Sequence, residues 1–437
     1  MGNTLQGKYN WKCATLSDMN NDGIIPEFDK LASVEIQSIM HNLDVISLLH
    51  LSQCCKFLYQ SSSHSFAWKY TPPLEVNVYS ASTITKQLDN FDLILKRNIQ
   101  SPLHNITLSL ICDFKWTFST NEEVQIMFES MDRHKKKITN LTLIDLLNNR
   151  WANNSSNLEL LISLIKTGNL NKLCINYGDI SGCFVRLLAN AIKENGNFTV
   201  LDFSKNYIDN EDVMALCLAI QCNKSLTNLN LSYNRIKCTG VCVLSETLKQ
   251  HCPNITSIDL SCNIIGPDGG IALSSVIKQC NRMTKISIYN NYITGVGAKA
   301  LAEEIKHSKS MTECDFSRCN IGSEGIKAVV DAIKNNNRLI RIDLGENGFY
   351  LEDVILLANA IKCSTSMTDI CLQSNYISET GINILIDAFN HCPTMSSMDL
   401  TNNSDISIQF INKRPVTTIK RVINILFNMT LYVFGQQ

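Results

Sequence analysis

The sequence carries almost no net charge. Its 39 basic and 40 acidic side chains sum to −1 at pH 7 across 437 residues. The one basic run, at residues 133–137, is typical of a solvated loop. Such a balance gives no general attraction to nucleic acid or to an anionic membrane surface. We therefore expect no nucleic acid among the partners.

Several motifs are also missing. There are 18 cysteines but no CxxC pair and no HExxH motif, so we expect neither a metal site nor a cofactor. No apolar run is long enough to span a membrane, and no apolar signal segment opens the sequence. These absences favour a reducing compartment, in the cytoplasm or nucleus. Because no nucleophile elbow, phosphate loop or paired-carboxylate motif occurs, the sequence predicts a binding protein without a catalytic site of its own.

One pattern recurs through residues 198–393. Each copy begins with an apolar residue, and the copies follow at steps of 28 or 29, at Leu201, Leu229, Ile258, Ile286, Cys314, Ile342 and Ile370. A second apolar residue two positions later lies on the same side of a short strand. An amphipathic stretch such as residues 297–305 then predicts a helix. A fixed period of this kind predicts a solenoid, in which neighbouring repeats stack to bury their apolar faces.

The pattern L-x-L-x-x-N-x-I resembles the leucine-rich repeat of the ribonuclease-inhibitor-like class. That resemblance implies an α/β horseshoe with a parallel sheet inside and helices outside. We predict repeats over residues 74–404, regular over 171–404 and irregular over 74–170, with weak copies beginning at Val76, Ile106 and Leu141. The shared asparagine should satisfy backbone donors and acceptors where the chain leaves the sheet. Cys319 replaces it in one repeat and can partly substitute for it.

The repeat also accounts for many of the cysteines. Five of them lie six or seven residues before the next strand position, namely Cys222, Cys252, Cys280, Cys363 and Cys392. We predict that they are small buried residues at the turn from helix to strand.

Residues 31–70 have the apolar spacing of two short helices. Their order is Leu31-Ala32, Ile39-Met40, Leu43-Asp44, Leu48-Leu49, Cys55-Lys56 and Trp68. This order resembles the F-box, with Ala32 where proline is usual. The resemblance implies docking on the Skp-type adaptor of a cullin ubiquitin ligase, with four residues in the contact or in its supporting core: Leu43, Leu48, Leu49 and Trp68. The alternative is a plain helical cap over the first repeat.

The two ends of the sequence give weaker signals. Residues 1–30 read as a tail that could be disordered. The sequence around Gly2 resembles the start of an N-myristoylation signal, but Gln6 stands where serine or threonine is required. Asp18–Asp29 resembles an EF-hand loop without its final glutamate. Myristoylation of Gly2 and calcium binding by this loop both stay open. Residues 405–437 are predicted to cap the last repeat, with a membrane-surface or partner helix as the alternative.

Residues that flank the buried strand positions should point into the concave face. The least stereotyped of them form a predicted partner-binding patch: Lys285, Tyr289, Glu313, Arg318, Arg341 and Glu346. Tyrosine and arginine are typical anchors of protein interfaces, although a merely solvated face remains the alternative.

Three functions are compatible with these patterns. The first is a monomeric substrate receptor within a ubiquitin ligase complex, which holds an unknown protein substrate. The second is a non-enzymatic scaffold or sensor, similar to the repeats of NOD-like receptors. The third is a Ran-type GTPase-activating protein, which can supply an arginine to its partner. The apolar C-terminal tail and the F-box-like segment argue against this third function.

Overall fold

The computed structural model describes residues 74–78, 108–113, 121–144, 155–167, 169–403, 406–411 and 424–425. The tail over 1–30 and the F-box-like segment over 31–70, with Leu43, Leu48, Leu49 and Trp68, lie outside these residues. So does most of the predicted C-terminal cap. Within the described residues, short strands alternate with helices along the chain.

Most strands of the regular array are only three to five residues long, and its last strand has seven residues. The first twelve strands are β1 (Leu74–Val78), β2 (Leu108–Asp113), β3 (Ile138–Ile144), β4 (Lys172–Asn176), β5 (Val200–Asp202), β6 (Asn228–Asn230), β7 (Ser257–Asp259), β8 (Lys285–Ser287), β9 (Glu313–Asp315), β10 (Arg341–Asp343), β11 (Asp369–Cys371) and β12 (Ser397–Asn403). Two further strands follow, β13 (Ile406–Ile411) and β14 (Asn424–Ile425).

A helix precedes each strand from β3 to β12. The helices are α1 (Asn121–Arg133), α2 (Ser155–Thr167), α3 (Gly182–Asn195), α4 (Asn210–Ile220), α5 (Cys238–His251), α6 (Gly266–Gln279), α7 (Thr294–His307), α8 (Gly322–Asn335), α9 (Leu351–Cys363) and α10 (Glu379–His391).

All these strands belong to one 14-stranded sheet in which spatial order follows sequence order. Strands β1 to β12 run parallel to one another. Strand β13 then pairs antiparallel with β12, and β14 pairs antiparallel with β13. Parallel neighbours joined in sequence order by helices make a solenoid. The predicted α/β solenoid is confirmed.

Strand register follows the repeat. Leu201 lies opposite Leu229, and Ile258 lies opposite Ile286. These residues are at most 2% exposed, since they meet the helices behind the sheet. Removing such a side chain from water contributes about 1.5–3 kcal/mol, and the stacked repeats add these contributions along one continuous core.

One predicted repeat start is wrong. Val76 lies opposite Leu110, and Leu110 lies opposite Leu141. The copy assigned to Ile106 therefore begins four residues later. The sequence from 106 to 112 alternates apolar residues with period 2, and a slip of four residues preserves that alternation. Hydrophobic pattern alone could not choose between the two registers.

Local signals explain where the helices begin and end. The Asp209 carboxylate accepts hydrogen bonds from the backbone N–H groups of Glu211 and Asp212. The Asp212 carboxylate in turn accepts a hydrogen bond from the Asp209 N–H. This capping box satisfies free donors at the start of α4. Helix α3 is capped by the residue that follows it, Gly196, whose φ of 66° lies in the left-handed region where glycine carries no Cβ penalty.

The shared asparagine forms a ladder between repeats. Asn206 Oδ1 accepts from the backbone N–H of Gly178 at 2.9 Å, in the preceding repeat. Its Nδ2 donates to the carbonyls of Ile175 at 2.8 Å and Phe203 at 2.9 Å. The same pattern recurs at Asn234, Asn263, Asn291, Asn347, Asn375 and Asn403. The predicted structural role of this residue is confirmed.

Cys319 takes the asparagine position in its repeat. Its Sγ donates to the Ile288 carbonyl at 3.1 Å, where an asparagine would use its amide. Its own backbone N–H donates to Asn347 Oδ1 at 3.1 Å. A thiol is a weak donor and acceptor, so this rung of the ladder is weaker than its neighbours.

The cysteine prediction is only partly right. Cys252, Cys280 and Cys392 are buried, whereas Cys222 and Cys363 are exposed. The three buried residues directly follow the last residue of their helices. Cys363 is still the last residue of α9. A shift of one residue in the helix end therefore turns the side chain from the core to solvent.

Threonines form a second, unpredicted ladder at the residue before several of the strands. The Oγ1 atoms of Thr227, Thr256 and Thr284 each donate to the backbone carbonyl of the threonine one repeat earlier, at 2.9 to 3.1 Å. Backbone N–H groups share the same carbonyls. This ladder ties the strand starts together on the side opposite the asparagines.

Candidate functional site

Strand residues on either side of the buried apolar position leave the core and line the other side of the sheet, which we name the open face. It is occupied by the first and third residue of each three-residue strand and by the polar residues that follow. Because the repeats are in register, each of these positions forms a row across neighbouring strands.

The first row carries a charge ladder, defined by Lys285, Glu313, Arg341 and Asp369. Glu313 lies 3.3 Å from Lys285 Nζ and 3.0 Å from an Arg341 nitrogen. Arg341 also lies 3.8 Å from Asp369. The two basic side chains are 53% and 54% exposed, so each ion pair contributes only about 0.2–1 kcal/mol. A partner could therefore replace these pairs at little cost.

A second group lies beside the ladder. Arg318 Nε is 3.7 Å from Glu346 Oε2, and both side chains are about half exposed. The Tyr289 hydroxyl, and then the Glu346 carboxylate, raise the pKa of the Arg318 guanidinium above its ordinary value. All six residues of the predicted patch thus fall into two adjacent groups. Asp369 is an additional member that sequence reasoning left out of the patch.

The aspartates at the third position of the strands form a second row and have a local role. Asp259, Asp315 and Asp343 each accept a hydrogen bond from the backbone N–H two residues later, at 2.9 to 3.0 Å. Burial raises the pKa of Asp259 and of Asp343 above the ordinary range, and the charge of Asp315 adds to the effect. These carboxylates stabilise the turn out of the sheet and repel one another.

Asp259→Asn is expected to raise the midpoint of urea unfolding at pH 7. An asparagine can keep the turn bond, as Asn230 does with the Ser232 N–H at 3.0 Å. The folded-state pKa of Asp259 is raised, so its ionisation opposes folding above that pKa and this opposition disappears as the pH falls toward the unfolded value. The difference between variant and parent, measured from pH 7 to 4, should shrink. A constant difference would contradict this explanation.

A surface at the edge of the open face was not predicted from the sequence. It comprises Tyr177, Lys205, Tyr207, Tyr233 and Arg235, which we name the tyrosine–cation rim. These residues lie directly before or after the ladder position occupied by Gly178, Asn206 and Asn234. Their regular spacing around that position was the available signal.

Among the described residues, no group of three or more histidine, cysteine or acidic side chains could hold a metal ion. Nor is any helix in that part of the chain long and apolar enough to cross a bilayer. Burial raises the pKa of Cys174 and Cys217 to about 11, so both remain neutral thiols at pH 7.

Comparison with known proteins identifies the repeat. A family model described as "Leucine Rich repeat" matches residues 194–217, 222–244, 251–274 and 307–330. No curated protein matches the chain. A solved structure described as "Crystal structure of Rad7 and Elc1 complex in yeast" is similar at 13% sequence identity and a TM-score of 0.49, over 82% of this chain and 92% of that one. The chain therefore contains leucine-rich repeats within residues 194–330, and the parallel solenoid extends the same arrangement on either side of them.

Proposed function

We propose that the chain is a recognition subunit that binds a protein partner on the open face and has no catalytic site. The supporting observation is that the six predicted patch residues lie in three consecutive repeats, where the charged ones are 33% to 55% exposed and joined by weak ion pairs. Such a surface offers arginine and tyrosine anchors on a rigid sheet.

The finer proposal is a substrate receptor of a cullin-type ubiquitin ligase. Residues 31–70 would dock on the Skp-type adaptor through Leu43, Leu48, Leu49 and Trp68, and the open face would hold the substrate. The support for docking is the order of apolar residues in that segment. A scaffold or sensor would use the same open face without an adaptor.

The test is a pulldown with purified Skp-type adaptor. We expect the intact chain to bind, and we expect binding to be lost in Leu48→Asp/Leu49→Asp and in a chain that starts at Thr71. The control is Leu187→Asp/Leu218→Asp, which makes the same changes at side chains already 41% and 60% exposed on solenoid helices. It should bind as the parent does. If the intact chain bound no adaptor, the ubiquitin-ligase proposal would be contradicted, and the scaffold or sensor function would remain.

A further inference from the structure

The tyrosine–cation rim begins with a lysine held between two tyrosines. Lys205 Nζ lies 4.3 Å from the centre of the Tyr177 ring and 5.5 Å from that of Tyr233. It also donates a hydrogen bond to the Tyr177 hydroxyl. The two rings are 50% and 49% exposed. Strands of a sheet lie about 4.8 Å apart, so two exposed rings flank one cation within roughly 10 Å.

A second cation is stacked in the next row. The Arg235 guanidinium lies 4.2 Å from the centre of the Tyr207 ring, which is itself 44% exposed. Stacking of this kind holds the guanidinium plane while its N–H donors stay directed outward.

The backbone presets these side chains. Tyr177, Lys205 and Tyr233 have φ values of 53°, 58° and 54°, in the left-handed region that non-glycine residues seldom adopt. Backbone hydrogen bonds to the next repeat hold this conformation. The Lys205 N–H, for example, donates to the Ser232 carbonyl at 2.8 Å. A surface held in this way loses little entropy when a partner binds.

The rim cations differ from those of the charge ladder. Lys285 and Arg341 already face carboxylates. Among the described residues, Lys205 and Arg235 form no ion pair with a carboxylate and instead contact tyrosine rings. Their positive charges are therefore free of a direct carboxylate contact in the described part of the chain and complement an anionic group.

We propose that the tyrosine–cation rim binds an acidic segment of a protein partner. Carboxylates of that segment pair with Lys205 and Arg235, and its apolar side chains lie on the exposed rings of Tyr177 and Tyr233. This site is distinct from the open-face patch and does not depend on docking to an adaptor.

Nearby acids argue for a short acidic segment over a nucleic acid. Asp179 and Glu211 are exposed close by in sequence, and the row of part-buried aspartates begins at Asp202. A polyphosphate would meet this repulsion along its length, whereas a peptide can place single carboxylates at the two cations.

The test measures binding of a fluorescent probe to the full chain. The probe is a 14-residue peptide of glutamate and aspartate with two phenylalanines, compared with its glutamine and asparagine analogue and with a dT14 oligonucleotide. We expect the acidic peptide to bind and Lys205→Glu/Arg235→Glu to weaken it at least tenfold. The control Lys309→Glu/Arg338→Glu makes the same charge change at exposed sites elsewhere and should leave affinity within twofold.

Ring contacts are tested separately. Tyr177→Ala/Tyr233→Ala should weaken the acidic peptide by at least fivefold, and Tyr177→Phe/Tyr233→Phe should restore most of the affinity because the rings remain. Melting temperatures of all variants identify any that fail to fold. The proposal is overturned if the parent does not bind the acidic peptide or binds dT14 more tightly. It is also overturned if Lys205→Glu/Arg235→Glu binds the peptide as tightly as the control Lys309→Glu/Arg338→Glu.

Discussion

Asn291→Ala is expected to lower the free energy of unfolding by about 4 kcal/mol, because each buried polar group left without a partner costs about 1–3 kcal/mol. Asn291 is fully buried. Its Oδ1 accepts from the N–H groups of Asn263 at 3.1 Å and Ile265 at 3.4 Å. Its Nδ2 donates to the carbonyls of Leu260 at 2.8 Å and Ile288 at 3.0 Å. Alanine would leave backbone N–H and C=O groups of two repeats without a hydrogen-bond partner.

Urea unfolding followed by circular dichroism measures this loss. Asn383→Ala is the matched control, since Asn383 is exposed on α10 and alanine favours a helix. It should change stability by less than about 0.5 kcal/mol. Equal effects from the two substitutions would mean that the ladder does not hold the repeats together.

Gly270→Val is expected to destabilise the chain by about 3 kcal/mol, the upper end for an overpacked site. A Cβ at Gly270 would lie 2.9 Å from the Gly297 Cα, where α6 meets α7. The obstacle is backbone, which no rotamer change can move aside. Gly297 is also confined, although less tightly, since its own Cβ would lie 3.1 Å from the Pro267 carbonyl oxygen.

The helix itself supplies the comparison. Gln279→Val places the same side chain at an exposed position of α6 and should cost about 0.5 kcal/mol through helix propensity. Gly270→Ala should fall between the two, since a gain of about 1 kcal/mol in helix propensity offsets part of the clash. If Gly270→Val and Gln279→Val lowered the urea midpoint by the same amount, helices α6 and α7 would have room to separate.

The regular part of the fold could be predicted because one residue per repeat decides the register. Leu229 and Ile258 are opposite each other since each is the first apolar residue of its copy. The irregular repeats lack that constraint, as the slip from Ile106 to Leu110 illustrates. Whether a cysteine such as Cys222 or Cys252 is buried depends on the residue at which its helix ends, and helix ends are set by local bonds that periodicity does not encode.

Row alignment also predicted that Lys285, Glu313 and Arg341 would be neighbours, but not how they would pair. Glu313 bonds to both of its flanking cations, and that sharing depends on side-chain rotamers. The tyrosine–cation rim was missed because it spans two positions of the repeat. Its tyrosines and cations alternate from one repeat to the next, so no single column of residues displays it.

The asparagine ladder has a consequence for how the length of this chain can change. Each rung joins a repeat only to the one before it. If 28 residues are deleted as a unit, the asparagine on one side of the junction meets the same backbone groups in its new neighbour. Deletion of 14 residues would instead set a helix against a strand. The array is thus built to gain or lose whole repeats by duplication and excision, while the chemistry at each junction stays the same.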